Sequence, residues 1–313
     1  MKKLNIAALG LPDDYRSSLI PLIIRDLGYE IAWKPVSQAD MLIYGPFYRK
    51  DKAYRWLPKP LRSPAQTLEA LLGSRKTKPL VLFQTGENIR PDFVQADYAI
   101  SFDISESPQH LRFPYWMEMV DWSHEGITGN SNHRFGKLLS IDQMMRPLGD
   151  QFLKRDRKVA MITSHLNEPR KTLLEVLQKM IPVDGYGPYF NPDIKNHHTS
   201  PFDKLQVLSQ YAFNLCPENS LYPGYYTEKI PEAFLAGCLP LTWVDSNVHV
   251  DFNPRAMINM QAMIGQGFAG LKELLHDTTQ LQHYADQPLM MTRPSIEPCK
   301  AFLGNVLSQV TSA

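Results

Sequence analysis

A chain of 313 residues, 43% of them hydrophobic and 21% charged, has the length for two domains and the apolar material for two cores. Lys plus Arg number 33 against 32 Asp plus Glu, a net charge of +1, so no global field draws nucleic acid and a nucleic-acid partner is not expected. Cys216, Cys238 and Cys299 lie far apart without a CxxC pair, which excludes an even disulfide framework and reads as reduced core thiols.

The opening residues carry a basic tip and a short apolar stretch, broken by Asp13, Asp14 and Arg16. The stretch is too short for a membrane span and lacks a signal-peptide cleavage site, so it is expected to be a first buried strand. Residues 41–44, 80–83 and 98–102 are further apolar runs of strand length, and 17–27 and 65–72 have amphipathic helical spacing. This βα alternation predicts a parallel sheet covered by helices. Residues 47–62 are basic and aromatic; they suit anionic lipid or an acidic glycan, with a solvated loop as the default. Residues 122–140, rich in Asn, Gly, Ser and His, read as a linker or irregular loop.

A helix is expected over 141–152, and a second βα series begins at 158–163. Helices over 170–180 and 228–235 alternate with strands over 212–216, 239–244 and 256–259 and a short strand end at Val183. The tail, 298–310, has helical spacing of Phe302, Val306 and Val310. Two Rossmann-like domains facing across a cleft fit the pattern, with ligands at the carboxyl ends of the strands. One large α/β domain is the alternative.

The most informative stretch is 211–259. A strand ends in Pro217-Glu218-Asn219-Ser220, a turn-rich loop with Pro223 and Gly224 follows, and Thr227 is placed to cap a helix opened by Glu228. A helix N-terminus with Lys229 beside it suits a phosphate. The Glu228 carboxylate suits a sugar diol, as acidic residues hold ribose in dinucleotide folds. The plain alternative is a Thr-capped helix with a solvent-exposed Glu-Lys pair.

The ordered string Glu218, Asn219, Ser220, Tyr225, Thr227, Glu228, Lys229, Pro240, Trp243, Asp251, Phe252, Asn253 and Pro254 resembles the donor-binding signature of the α-1,3/1,4-fucosyltransferases, glycosyltransferase family 10. Pro217 departs from it, standing where the family has an aromatic. Arg170, opening a helix after the strand at 159–163, resembles the family arginine that contacts the donor diphosphate. Its alternative is a surface arginine paired with Glu168 or Glu175. Thr85, Gly86, Glu87, Asn88, Pro91, Phe93, Asp97, Tyr98, Ala99 and Ile100 resemble a second family segment, whose Glu is the general base. Glu87 also falls just past a strand's carboxyl end; a turn carboxylate capping backbone N–H groups is the alternative. These signatures span 80–259, and the first eighty or so residues match in architecture alone.

The resemblance implies a GT-B-type enzyme with an acceptor-side domain over 1–140, a donor domain over 141–297 and a C-terminal helix over 298–313. It implies inverting transfer of fucose from GDP-fucose to a glycan hydroxyl, α-1,3 or α-1,4 to GlcNAc or Glc. Glu87 is then the base, Arg170 and Lys229 hold the diphosphate, Glu228 the ribose, and Asn219 and Tyr225 line the donor site. A single in-line displacement needs one base, whereas a retaining double displacement would need a second carboxylate as nucleophile. No Asp-x-Asp occurs, so no metal is required, although a divalent ion could stimulate. Glu118, Asp121 and His124 fall three apart, as metal ligands on a helix can, but chance spacing is the better reading. His197-His198 reads as solvated, and Gly185-Tyr186-Gly187 lacks the third glycine of a dinucleotide fingerprint. A cytoplasmic protein is expected, able to touch the inner membrane face peripherally. The rival readings are transfer of another GDP-deoxyhexose and a non-catalytic nucleotide-sugar-binding protein.

Overall fold

The computed structural model describes residues 1–47, 78–91, 95–191 and 203–312. The helix expected over 65–72, Phe93, His197-His198 and nearly all of the basic aromatic run lie outside them. The chain divides into two compact units, one of residues 1–118, 122–130 and 295–313, the other of 119–121 and 131–294.

The first unit opens with β1 (Lys2–Leu9), α1 (Leu19–Asp26), β2 (Tyr29–Trp33) and β3 (Met41–Tyr44), and continues with β4 (Leu80–Gln84), β5 (Tyr98–Ser101), β6 (His110–Arg112) and α2 (Tyr115–Glu118). Its six strands are all parallel, in the order β2-β1-β3-β4-β5-β6. β3 and β4 are central, and Met41, Leu42, Ile43, Tyr44, Leu82 and Phe83 are fully buried, as two-sided coverage requires. β2 and β6 escape the apolar-run test because they are edge strands, only partly buried along their length.

The second unit contains α3 (Ile141–Met144), α4 (Gln151–Lys154), β7 (Val159–Ile162), α5 (Arg170–Gln178), β8 (Val183–Tyr186), α6 (Lys204–Leu208) and β9 (Phe213–Leu215). After these come α7 (Lys229–Leu235), β10 (Leu239–Thr242), β11 (Ile258–Asn259), α8 (Leu271–His276) and α9 (Thr278–Ala285). The single helix expected over 141–152 is instead α3 and α4, because Pro147 and left-handed Gly149 (φ +83) break it between them. Five parallel strands run β11-β10-β9-β7-β8, over a core that includes Val159, Met161, Leu173, Phe213, Leu215, Leu239 and Leu241. The final helix, α10 (Glu297–Ser312), returns to the first unit, where Phe302 meets Tyr98 edge-on at 5.9 Å and Lys300 pairs with Asp26 at 3.5 Å.

The strand order of the second sheet reverses direction between β7 and β9. In a doubly wound sheet the loops leaving the carboxyl ends of such a pair diverge to opposite faces and leave a crevice, where ligands bind. The loops leaving β7 and β9 carry Arg170 and the Glu218–Lys229 segment respectively. In the first sheet the reversal falls between β1 and β3, and the loop after the next strand, β4, carries Glu87.

Candidate active site

The segment after β9 is organised by a carboxylate. Glu218 is fully buried, and its oxygens accept hydrogen bonds from Thr227 N (2.7 Å), from Thr227 Oγ1 (2.9 Å to each oxygen) and from Lys229 Nζ (3.0 Å). A buried carboxylate is tolerable only when paired and saturated in this way. Glu218 thereby ties the start of the loop to its end, and Tyr225 and Tyr226 are buried between. Thr227 was expected to cap the helix; instead its hydroxyl turns to Glu218, and α7 begins at Lys229 with Glu228 as a cap residue that makes no side-chain capping bond. The buried carboxylate of Glu218, which already accepts from Lys229, outcompetes the helix N–H groups for the threonine.

Lys229 keeps 21% of its side chain exposed. Burial pulls its ammonium down, but Glu218 and Glu228 more than offset this, so it stays charged. Arg170, the first residue of α5, is 7% exposed and donates from Nη2 to Asn219 Oδ1, while its Nη1 lies 2.9 Å from His165 Nδ1. Asn219 in turn reaches Tyr225 with Nδ2 3.4 Å from the phenol oxygen. His165 is pushed towards the neutral form by burial and then by Arg170 and Lys229. Burial also lowers Arg170, against the opposing pull of Glu218, Tyr225 and Glu228; a guanidinium starting from so high a value remains protonated.

Glu228 is 5% exposed, 3.6 Å from Arg134 Nη2 and 3.7 Å from Lys204 Nζ. Burial drives its carboxyl upward, yet Lys229, Lys204 and Arg134 outweigh that and hold it well below the usual range. Both plain alternatives therefore fail here: the Glu228-Lys229 pair is not solvent-exposed, and Arg170 is not a surface arginine paired with Glu168, whose carboxylate instead accepts from Thr172. Among the described residues, the cations Arg134, Arg170, Lys204 and Lys229 outnumber the carboxylates Glu218, Glu228 and Glu232 by one. Such an excess, with Arg and Lys side by side, favours a polyanion such as a diphosphate.

Five of the six expected site residues, Arg170, Asn219, Tyr225, Glu228 and Lys229, thus belong to one connected cluster in the second unit. His165, Arg134, Lys204 and the organising role of Glu218 were not legible in the sequence. Glu218 stood inside the quoted motif, but Arg134 and Lys204 reach Glu228 from distant segments with no local signal.

Glu87 lies in the first unit, in the turn after β4. The turn is closed by Thr85, whose hydroxyl donates to Glu87 O (2.9 Å) and accepts from Glu87 N (3.1 Å). Gly86 is needed because Tyr115 covers it: a Cβ there would come 2.5 Å from Tyr115 Cδ2. Nearby, Gln84 at the end of β4 accepts from the Tyr15 hydroxyl (2.5 Å) and donates to Glu118 (2.9 Å). Glu118 has no cationic partner among the described residues, and burial raises its carboxyl to about 7. Glu118, Asp121 and His124 do not share a helix, since α2 ends at Glu118. No group of three or more metal-ligating side chains occurs among the described residues, and none of the described helices is long and apolar enough to cross a membrane.

Residues 152–286 match the family model described as glycosyltransferase family 10 (fucosyltransferase) C-term, and residues 63–119 match that of the α-(1,3)-fucosyltransferase FucT N-terminal domain. The likeness therefore extends upstream of residue 80, where the motifs alone had ended. The chain is 31% identical over 199 residues to the α-(1,3)-fucosyltransferase FucT of Helicobacter pylori, covering 57% of this chain and 40% of that protein. It is 26% identical over 186 residues to the mouse 4-galactosyl-N-acetylglucosaminide 3-α-L-fucosyltransferase 9, covering 49% and 50% of the two. The matched region thus spans half or less of these relatives' length. Among solved structures, an α1,3-fucosyltransferase matches with a TM-score of 0.68 at 24% identity, covering 98% of this chain and 90% of that one. An α1,3-fucosyltransferase with GDP-fucose matches with a TM-score of 0.65 at 23% identity, over 98% and 91%. The likeness is one of fold, and the two parallel sheets are those of the GT-B type. Two family models over separate segments that together make up more than half of the chain, with the ordered motifs inside them, place this chain in glycosyltransferase family 10, the fucosyltransferases.

Proposed function

We propose that the protein transfers fucose from GDP-fucose to a hydroxyl of a glycan acceptor, with inversion at the anomeric carbon. The observation that carries this reading is the cluster at the β7/β9 reversal, where Arg170 is bonded to Asn219 and Asn219 to Tyr225, while Lys229 is bonded to the neighbouring Glu218. Arg170 and Lys229 hold the diphosphate and stabilise the charge that develops on the departing nucleotide. Glu228 accepts hydrogen bonds from the ribose diol. Glu87 takes the proton of the acceptor hydroxyl as its oxygen attacks the anomeric carbon, and GDP leaves from the opposite face. The first compact unit, which includes the final helix, serves as the acceptor-side domain and the second, which includes Arg134, as the donor domain.

The α-1,3 activity of the two relatives and the N-acetylglucosaminide acceptor of the mouse enzyme favour an α-1,3 linkage to GlcNAc, with Glc as acceptor and α-1,4 as linkage the runners-up. Charge from side chains, rather than a bound cation, is taken to neutralise the diphosphate, and a divalent ion would act only as a stimulant by screening product. Three buried, unpaired cysteines are consistent with a reducing cytoplasm.

The deciding experiment offers GDP-fucose and a panel of other GDP-deoxyhexoses with a glycan array, following GDP release and product linkage by NMR. Fucose transfer with inverted anomeric configuration is expected. A retained configuration would refute the single displacement. A preference for another GDP-sugar would replace the donor. Tight binding without acceptor-dependent GDP release would mean a sensor rather than an enzyme.

A further inference from the structure

Glu228 and Glu232 stand one turn apart at the start of α7, with Glu232 N donating to Glu228 O at 2.9 Å. Both are buried, at 5% and 2% exposure. Like charges at this spacing repel, and burial strengthens the repulsion. Lys204, itself 6% exposed at the start of α6, resolves it: its Nζ is 2.6 Å from Glu232 Oε2 and 3.7 Å from Glu228 Oε1. Asn132 Nδ2 donates to the other oxygen of Glu232 at 3.2 Å, and Lys204 N donates to Arg134 O at 2.9 Å, so the segment that delivers Arg134 is fastened to the same lysine.

The contacts are asymmetric. Lys204 makes a short charge-assisted bond to Glu232, whereas Lys204 and Arg134 both approach Glu228 only at 3.6–3.7 Å, beyond hydrogen-bond distance. Glu232 anchors the lysine, and Glu228 receives its field without spending acceptor sites on it. Buried ion clusters add little net stability compared with apolar packing, so one built around Glu228 calls for another explanation.

We infer that Lys204, anchored by Glu232, is a positioning residue for Glu228, holding that carboxylate ionised and oriented to accept hydrogen bonds from the donor ribose. The inference rests on the placement of Glu228 at the ribose proposed above. Among the described residues, four cations face Glu228, namely Lys229 from α7, Lys204 from α6, Arg134 from the 131–136 segment and Arg170 from α5, and the carboxylates Glu218 and Glu232 share the cluster. With Lys204 removed, burial regains ground and the carboxyl rises. Ribose binding, which uses the ionised form, is then present at higher pH and lost as pH falls through the new value.

The test measures guanosine and inorganic pyrophosphate binding to the full chain by calorimetry between about pH 5 and about pH 8. Lys204→Met is the main variant, because it leaves the repulsion between Glu228 and Glu232 unrelieved; Lys204→Met with Glu232→Gln also removes the repelling carboxylate and is expected to return towards the parent's profile. The guanosine affinity of Lys204→Met is expected to fall by about threefold or more between about pH 8 and about pH 5, while its pyrophosphate binding changes by less than about threefold. Lys204→Arg keeps the charge and is expected to show the parent's flat profile. Parental guanosine binding by Lys204→Met at every pH, where Glu228→Ala has lost it, would overturn the role of Lys204 alone. An acid limb of about threefold or more in Lys204→Arg would also overturn it, and this arm stands even if Lys204→Met melts early. Parental guanosine binding by Glu228→Ala would remove Glu228 from the ribose, and the role of Lys204 with it.

Discussion

Lys229→Ala is the most direct probe of the donor cluster, because two contributions can be separated. Its ammonium is 3.0 Å from Glu218 Oε2 and 2.7 Å from Thr227 Oγ1, with 21% of the side chain exposed. One charge-assisted bond to a diphosphate oxygen contributes about 1.5–3 kcal/mol, which is about 10- to 150-fold in GDP affinity. The same substitution also strands Glu218, which is fully buried, and unpairing such a group costs about 3–5 kcal/mol of stability. Pairing Lys229→Ala with Glu218→Gln relieves the second cost and leaves the first. Calorimetry near pH 8, where Glu228 stays ionised without Lys229, should therefore show GDP and GDP-fucose weakened alike in both the single and the paired variant, guanosine little changed, and thermal stability largely recovered in the pair. Lys229 has its ammonium held above its ordinary value by Glu218 and Glu228, so this pairing stabilises the fold below pH 10.5 and is lost as pH rises beyond it. GDP binding by Lys229→Ala as tight as that of the parent would show that the lysine serves Glu218 alone and that the diphosphate lies elsewhere.

Glu87→Gln should leave GDP-fucose affinity near the parent's and slow transfer by about 10²–10⁴, read from single-turnover rates; equal turnover would rule the base out. Transfer should survive EDTA, and complete loss reversed by added metal would overturn the metal-free reading. Glu118 has a carboxyl raised from 4.5 to about 7 in the fold, so its native state favours the proton; that contribution is full below 4.5 and is lost as pH rises through about 7. Glu118→Gln should thus stabilise the protein by about 1–3 kcal/mol in denaturant melts near pH 8.5 and by much less near pH 5. An equal change at both values would show that the carboxyl beside Gln84 is not raised in the fold.

Much of this architecture follows from local pattern. Apolar runs of strand length at β3, β4, β7 and β9 alternate with helical periods, and a parallel sheet buried on both faces needs that signal. The turn at Thr85-Gly86-Glu87 and the loop from Glu218 to Lys229 were equally legible, because turn chemistry and residue order are properties of contiguous chain. Edge strands β2 and β6 were not, since one neighbour and partial burial leave no apolar run to detect. Nor was the break between α3 and α4, where Pro147 and Gly149 outweigh the helical period around them. Tertiary structure alone decided the electrostatics of the site. Thr227 has the chemistry of a cap, but in the fold a buried carboxylate nine residues earlier takes its hydroxyl. Arg134 and Lys204 come to Glu228 from segments 94 and 24 residues away in the sequence, where no spacing rule applies. Hydrophobic periodicity is written locally because each element must bury its own face. A buried charge must find its partner in three dimensions, and only the packing of α6, α7 and the 131–136 segment supplies it.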